Sequence, residues 1–145
     1  MDTDSPRSTP LLFTPLEIRG VTMRNRIVIS PMCTYSAAEG MVQDWHLVHL
    51  GQYALGGAGV IFTEALAVQK QGRITHGDVG IWHDGQIGPM ARIVHFLKEH
   101  GAVPAIQLAH AGRKASMQRP WNGNAALDDG DLARGDLQWQ PKGAS

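Results

Sequence analysis

The sequence predicts a parallel α/β fold, and three observations carry that expectation. Short runs such as Ile27-Val28-Ile29 and Val60-Ile61-Phe62 are apolar on successive residues, as in strands covered on both faces. Other stretches repeat apolar residues at spacings of three and four, as amphipathic helices do. The two kinds alternate along the chain, which is the pattern of βαβ units with right-handed crossovers.

The first ten residues, MDTDSPRSTP, have no apolar core and read as a solvated, disordered tail rather than a secretory signal. From Leu11 the pattern changes. A hairpin is expected over about Leu16 to Met23, with Gly20 supplying the turn because glycine tolerates positive φ. A buried strand from Arg26 to Met32 follows, its regular pairing ended by Pro31. Asp44 reads as the N-cap of a helix carrying Trp45, Val48, His49, Gln52 and Tyr53, stopped by Gly56-Gly57. A second strand spans Gly59 to Glu64, then a Gly-rich polar loop leads to Asp84, the expected cap of a second helix. Its stripe is Ile87, Met90, Val94 and Leu97, and Gly101 stops it. A third strand runs from Val103 to Leu108. Beyond Ala109 no period persists, and the rest reads as a long excursion above the sheet.

Composition narrows the classes of function. The chain has 145 residues, 43% hydrophobic and 18% charged, as in a globular protein. Thirteen basic residues balance thirteen acidic ones, so no charge excess favours nucleic acid or an anionic membrane as partner. No apolar run approaches the roughly 20 residues that span a bilayer. One cysteine cannot form an intrachain disulfide, so a cytoplasmic setting is expected.

In parallel α/β folds chemistry gathers at the C-terminal ends of the strands. Ser30 to Ser36 follow the first strand, Glu64-Ala65 end the second, and Gln107, His110 and Arg113 lie at the third. Cys33 reads either as a small buried hydrophobe or as a redox or cofactor contact. Tyr35 points to the same side as Cys33 if the backbone stays extended, and is otherwise an ordinary half-buried aromatic. Gln107, in a buried strand, must be hydrogen-bonded, either structurally or to a heterocycle edge that alternates C=O and N–H. His46 and His49 have helical spacing for a metal pair, but no third ligand stands at a recognisable spacing, so no metal site is expected. His110 reads as a loop-anchoring buried histidine or a catalyst. The glycines of Gly56–Gly59 follow a helix and precede a strand, the reverse of a dinucleotide fingerprint, and read as a tight αβ turn.

Four segments carry a family resemblance: LFTPLEIRGVTMRNRIVISPMCTYSAAEG, DWHLVHLGQYALGGAGVIFTEA, QGRITHGDVGIW and IQLAHAGRKAS. In this order they resemble the Old Yellow Enzyme family of FMN-dependent ene-reductases, and SPMCTYS is similar to its thermophilic-like or xenobiotic-reductase branch. The likeness covers about Leu11 to Gly123. It implies the N-terminal part of a (β/α)₈ TIM barrel, a hairpin plus about three βα units, with FMN at the C-terminal mouth. It also implies that Ser30, Pro31, Met32 and Cys33 run beside the flavin, Cys33 tuning its redox behaviour. Ala65 would leave room for the ring, Gln107 would bond the pyrimidine edge, and Tyr35 would line the substrate pocket. Residues 11–145 would be the N-terminal segment of the FMN-binding barrel, with 111–145 an excursion capping the active site.

The implied reaction takes hydride from NAD(P)H and reduces the C=C bond of an α,β-unsaturated carbonyl compound, a small-molecule substrate. The full-length protein is expected to be a homo-oligomer. A complete barrel runs to about 250 residues. The donors to the substrate carbonyl, the proton-donating tyrosine and the phosphate site are therefore expected beyond Ser145, and the isolated 145-residue chain is expected to be inactive. Two alternatives stand beside this: a remnant with at most a binding role, and a complete small ligand-binding module of another architecture.

Overall fold

The hairpin forms where expected: β1 (Leu16–Ile18) and β2 (Val21–Met23) pair antiparallel, with Ile18 opposite Val21. The structure, a computed structural model, describes residues 9–143, so most of the expected N-terminal tail lies outside the described residues. Arg19 and Gly20 form the two-residue turn with φ of 49° and 79°, the positive pair that matches the twist of a hairpin.

A three-stranded parallel sheet follows in the order β3-β4-β5: β3 (Val28–Ile29), β4 (Val60–Ala67) and β5 (Val103–Ala109). The helices α1 (Asp44–Leu55) and α2 (Ile87–Glu99) connect them and pack against each other and the sheet. Ile61, Ile93 and Leu97 are almost inaccessible and form the core with Leu50, Ala54, Ala58 and Ala102. Burying each large side chain contributes about 1.5–3 kcal/mol.

Several boundaries differ from expectation. The first strand has only two paired residues, because it has one neighbour and Pro31 brings no N–H. Val28 is half exposed there, so β3 is not covered on both faces. Asp44 is the first residue of α1, and Gln43 caps it in a reciprocal box with His46. Asp84 likewise opens a 3₁₀ turn, Asp84–Gln86, capped by His83, and α2 starts after it. On α2 the inward positions are Ile93 and Leu97, while Ile87 is exposed. The second strand continues past Glu64 to Ala67. The outer half of β5 is open, with Leu108 62% exposed, since no strand flanks it among the described residues.

The excursion is more structured than its composition suggests. It holds a short helix, α3 (Asp129–Ala133), capped by Asp128 and Asp131. The carboxyl of Asp131 is pushed up by burial. The Asp128 backbone N–H, Gln118 and the Arg134 guanidinium outweigh this and hold it at about 2. Trp139 donates from Nε1 to the Gln71 carbonyl (3.0 Å), and Met117 donates its N–H to Ile74 (2.8 Å). The excursion is thereby fastened to the loop after β4.

Candidate functional site

The C-terminal end of β4 is organised around a buried carboxylate. The ladder between β4 and β5 shifts register between Phe62 and Ala65, and Thr63 and Glu64 are buried in succession there. Glu64 Oε1 accepts from Thr34 Oγ1 (2.8 Å) and Oε2 from the Thr34 N–H (3.3 Å). On α1, His46 Nδ1 accepts the Gln43 N–H (2.9 Å), so the neutral ring carries its proton on Nε2. That Nε2 stands 3.4 Å from Glu64 Oε1, without the alignment of a hydrogen bond. His49, one turn further along α1, stacks on Trp45 with ring centroids 5.5 Å apart.

Cys33 lies immediately before Thr34 and is half-buried. Its thiol is pushed up by burial. The Ala65 backbone N–H opposes this, the Glu64 and Asp78 carboxylates add to it, and a hydrogen bond with Tyr35 pulls it down slightly. Burial also raises the Tyr35 hydroxyl, with Cys33, Asp78 and Glu64 contributing. The backbone does not stay extended between them: Tyr35 has φ of 52°. Simple alternation is thus the wrong premise, yet the Tyr35 hydroxyl still returns to Cys33. Its ring meets Trp121 edge-on at 6.4 Å.

Ala65 and Gln107 are register partners on β4 and β5, so their side chains stand side by side on one face of the sheet. Gln107 is exposed and its amide has no protein partner among the described residues. The strand is not buried there as expected, because the outer edge of β5 is open, and a structural hydrogen bond to Gln107 is absent among the described residues. Ser30 and Met32 are exposed and Pro31 is half-buried on the segment leading to Cys33. His110 is neither buried nor near Cys33 in bonding. It is exposed and accepts the Gly112 N–H (3.1 Å) in a local turn.

Sequence reasoning missed the loop after β4. Asp78 is buried and accepts from the Ile74 N–H (2.6 Å), the Thr75 N–H (3.0 Å) and Thr75 Oγ1 (2.9 Å). Burial raises its carboxyl, and these bonds only partly oppose it. Gly77 admits the Tyr35 carbonyl, which a Cβ there would meet at 2.1 Å. Arg73 is buried between the rings of Trp82 and Trp139, 5.4 and 5.0 Å from their centroids. A Thr-x-x-Asp turn at Thr75 was the legible signal for Asp78; nothing local marks Arg73.

Comparison with known proteins sets this geometry in a family. The family model described as NADH:flavin oxidoreductase / NADH oxidase matches residues 11–140. An NADH:flavin oxidoreductase of Gibberella zeae is 53% identical over 110 residues, 76% of this chain and 27% of its own length. An NADPH dehydrogenase of Bacillus cytotoxicus is 50% identical over 108 residues, 73% of this chain and 31% of its own. The chain thus spans about a third of the length of such relatives. The structure also superposes on morphinone reductase in complex with tetrahydroNAD. That match has a TM-score of 0.68 and 29% identity, and covers 74% of this chain and 29% of the other. The old yellow enzyme of Trypanosoma cruzi gives 0.66 and 32%, with 73% and 28% covered. The described residues match the opening of these enzymes' α/β barrels as an open sheet, in keeping with the expected fold class. With its hairpin, parallel βαβαβ sheet and strand-end cluster, the chain belongs to the NADH:flavin oxidoreductase / NADH oxidase family.

Proposed function

We propose that this chain forms part of the flavin bed of an FMN-dependent oxidoreductase that takes hydride from NAD(P)H and reduces the C=C bond of α,β-unsaturated carbonyl compounds. One observation supports this most directly. Cys33, Ala65 and Gln107, far apart in sequence, converge on one end of the sheet: the Ala65 backbone lies beside the Cys33 thiol, and Ala65 neighbours Gln107 in the ladder. The donor set fits the group. Gln107 offers an unpaired amide that can both donate to and accept from a pyrimidine edge, and Ala65 beside it adds no bulk.

FMN, when bound, supplies the two-electron chemistry that amino-acid side chains lack. The chain's own residues then have distinct tasks. Ser30, Pro31 and Met32 line the approach to Cys33. The Cys33 thiol stays protonated at neutral pH because burial raises it, so it presents a neutral S–H. Tyr35, beside that thiol and edge-on to Trp121, borders the side where a substrate would lie. The excursion from 111 covers that side. The groups that would bind the substrate carbonyl and deliver its proton match no residue of this chain.

FMN titration of the purified protein, followed by flavin absorbance and fluorescence, tests the reading. Weak binding is expected, loosened about tenfold by Gln107→Ala, the loss of a bidentate amide contact. Binding that ignores Gln107→Ala would overturn the flavin reading. The 145-residue chain alone is expected not to oxidise NADPH with 2-cyclohexenone, since the implied carbonyl donors and proton donor match none of its residues. Turnover by it would refute that part.

A further inference from the structure

We infer that Glu64 is a positioning residue for Cys33, acting through Thr34. Two consecutive residues of β4 grip two consecutive residues of the segment after β3. Ala65 reaches the Cys33 thiol through its backbone N–H. Glu64 takes both polar hydrogens of Thr34, at 2.8 Å from Oγ1 and 3.3 Å from the N–H. The grip is buttressed from the helix layer, where His46 faces the same carboxylate oxygen at 3.4 Å. Glu64 is only 5% exposed and His46 3%. An ionised carboxylate is an expensive way to fill such a space, and an apolar residue of similar volume packs there at less cost. What an apolar residue lacks is an acceptor for Thr34. With Tyr35 turned to φ of 52° just beyond, Thr34 is the last anchored residue before the bend that brings the Tyr35 hydroxyl back to the thiol. Loss of the anchor frees Cys33 and the bend together.

The assignment rests on the flavin reading only for the purpose it gives Cys33; its test needs no flavin, so either can fail alone. Cys33 is the single cysteine, so alkylation by iodoacetamide reports on it without ambiguity. Rates are measured from pH 7 to 10 in the purified protein. The titratable groups facing the thiol are Tyr35 on its own segment, Glu64 on β4 and Asp78 on the following loop. Thr34→Val keeps the shape and every charge but removes the hydroxyl, and is expected to speed alkylation about fivefold through local opening. Thr34→Ser restores the hydroxyl and is expected to stay within about twofold of the native rate. Glu64→Gln removes a negative charge and is expected to move the whole profile to lower pH as well as speed it. If Thr34→Val matches the native protein, or Thr34→Ser is as fast as Thr34→Val, Glu64 has no positioning role. Should Thr34→Val not fold, amide exchange of Thr34 in the native protein decides. Protection of about tenfold over an unstructured peptide is expected, and none would overturn the assignment.

Discussion

The two ends of β4 are held by opposite means. At its N-terminal end a cation donates to backbone carbonyls. Arg24 reaches Ala54 (2.8 Å), Ala58 (3.2 and 3.0 Å) and His100 (2.7 Å), tying together the C-terminal ends of α1 and α2. Asn25 adds a bond to the Gly57 carbonyl (2.6 Å). At the C-terminal end buried carboxylates accept from backbone N–H groups: Glu64 from Thr34, Asp78 from Ile74 and Thr75. A guanidinium suits the negative ends of two helix dipoles, and each of its three nitrogens finds a carbonyl. The opposite end keeps a thiol, a phenol and an amide turned to the open face. One end ties helix ends together; the other gathers these groups at the strand ends where barrels generally carry their chemistry.

The largest expected effects come from one substitution made at each end. A Cβ on Gly59 would meet the Asn25 carbonyl oxygen at 2.4 Å, and one on Gly77 the Tyr35 carbonyl oxygen at 2.1 Å. Gly59→Ala and Gly77→Ala should each cost about 3 kcal/mol in denaturant unfolding. Only Gly77→Ala should also change the alkylation rate of Cys33 in the folded protein. If Gly59→Ala changes it equally, the ends are not independent.

Arg24→Ala comes next. It leaves helix-end carbonyls without their donor and should cost about 2 kcal/mol, with Cys33 reactivity again unmoved. Thermal unfolding alongside alkylation checks both halves.

The smallest effect is a pair of opposite pH dependences. Asp131 is held at about 2, below the ordinary carboxylate value, so its contribution is present above that ordinary value and fades as pH falls toward 2. Asp78 is raised by burial, so its contribution is present below the ordinary carboxylate value and is lost as pH rises through its raised one. In unfolding series from pH 2 to 7, Asp131→Asn should flatten the acid limb and Asp78→Asn the rise-dependent loss. Identical slopes in both variants would contradict these assignments.

Legibility followed locality. The hairpin turn, both long helices and all three strands could be read because each rests on neighbours in sequence: Gly20 and Gly57 at positive φ, apolar runs, helical spacing. Helix starts differ from expectation by a residue or part of a turn because Asp44 and Asp84 look like caps, while Gln43 and His83 occupy the cap positions. Helix α3 was legible and overlooked, since Asp128 and Asp131 stand three apart as a capping pair does. At the site, Cys33, Tyr35, Ala65 and Gln107 are visible as strand-end or motif residues, but not how they meet. The exposure of Gln107 depends on β5 having no outer neighbour, which a strand's own residues do not reveal.

By itself the sequence determined the order of elements, the strand ends where polar residues collect, and, through its motifs, the family. Tertiary structure alone decided which of those polar residues touch. Glu64 finds Thr34 across 30 residues and Arg24 finds His100 across 76, contacts that leave no period in the chain. They form because a buried charge must be matched wherever the packed sheet and helices bring a partner within reach.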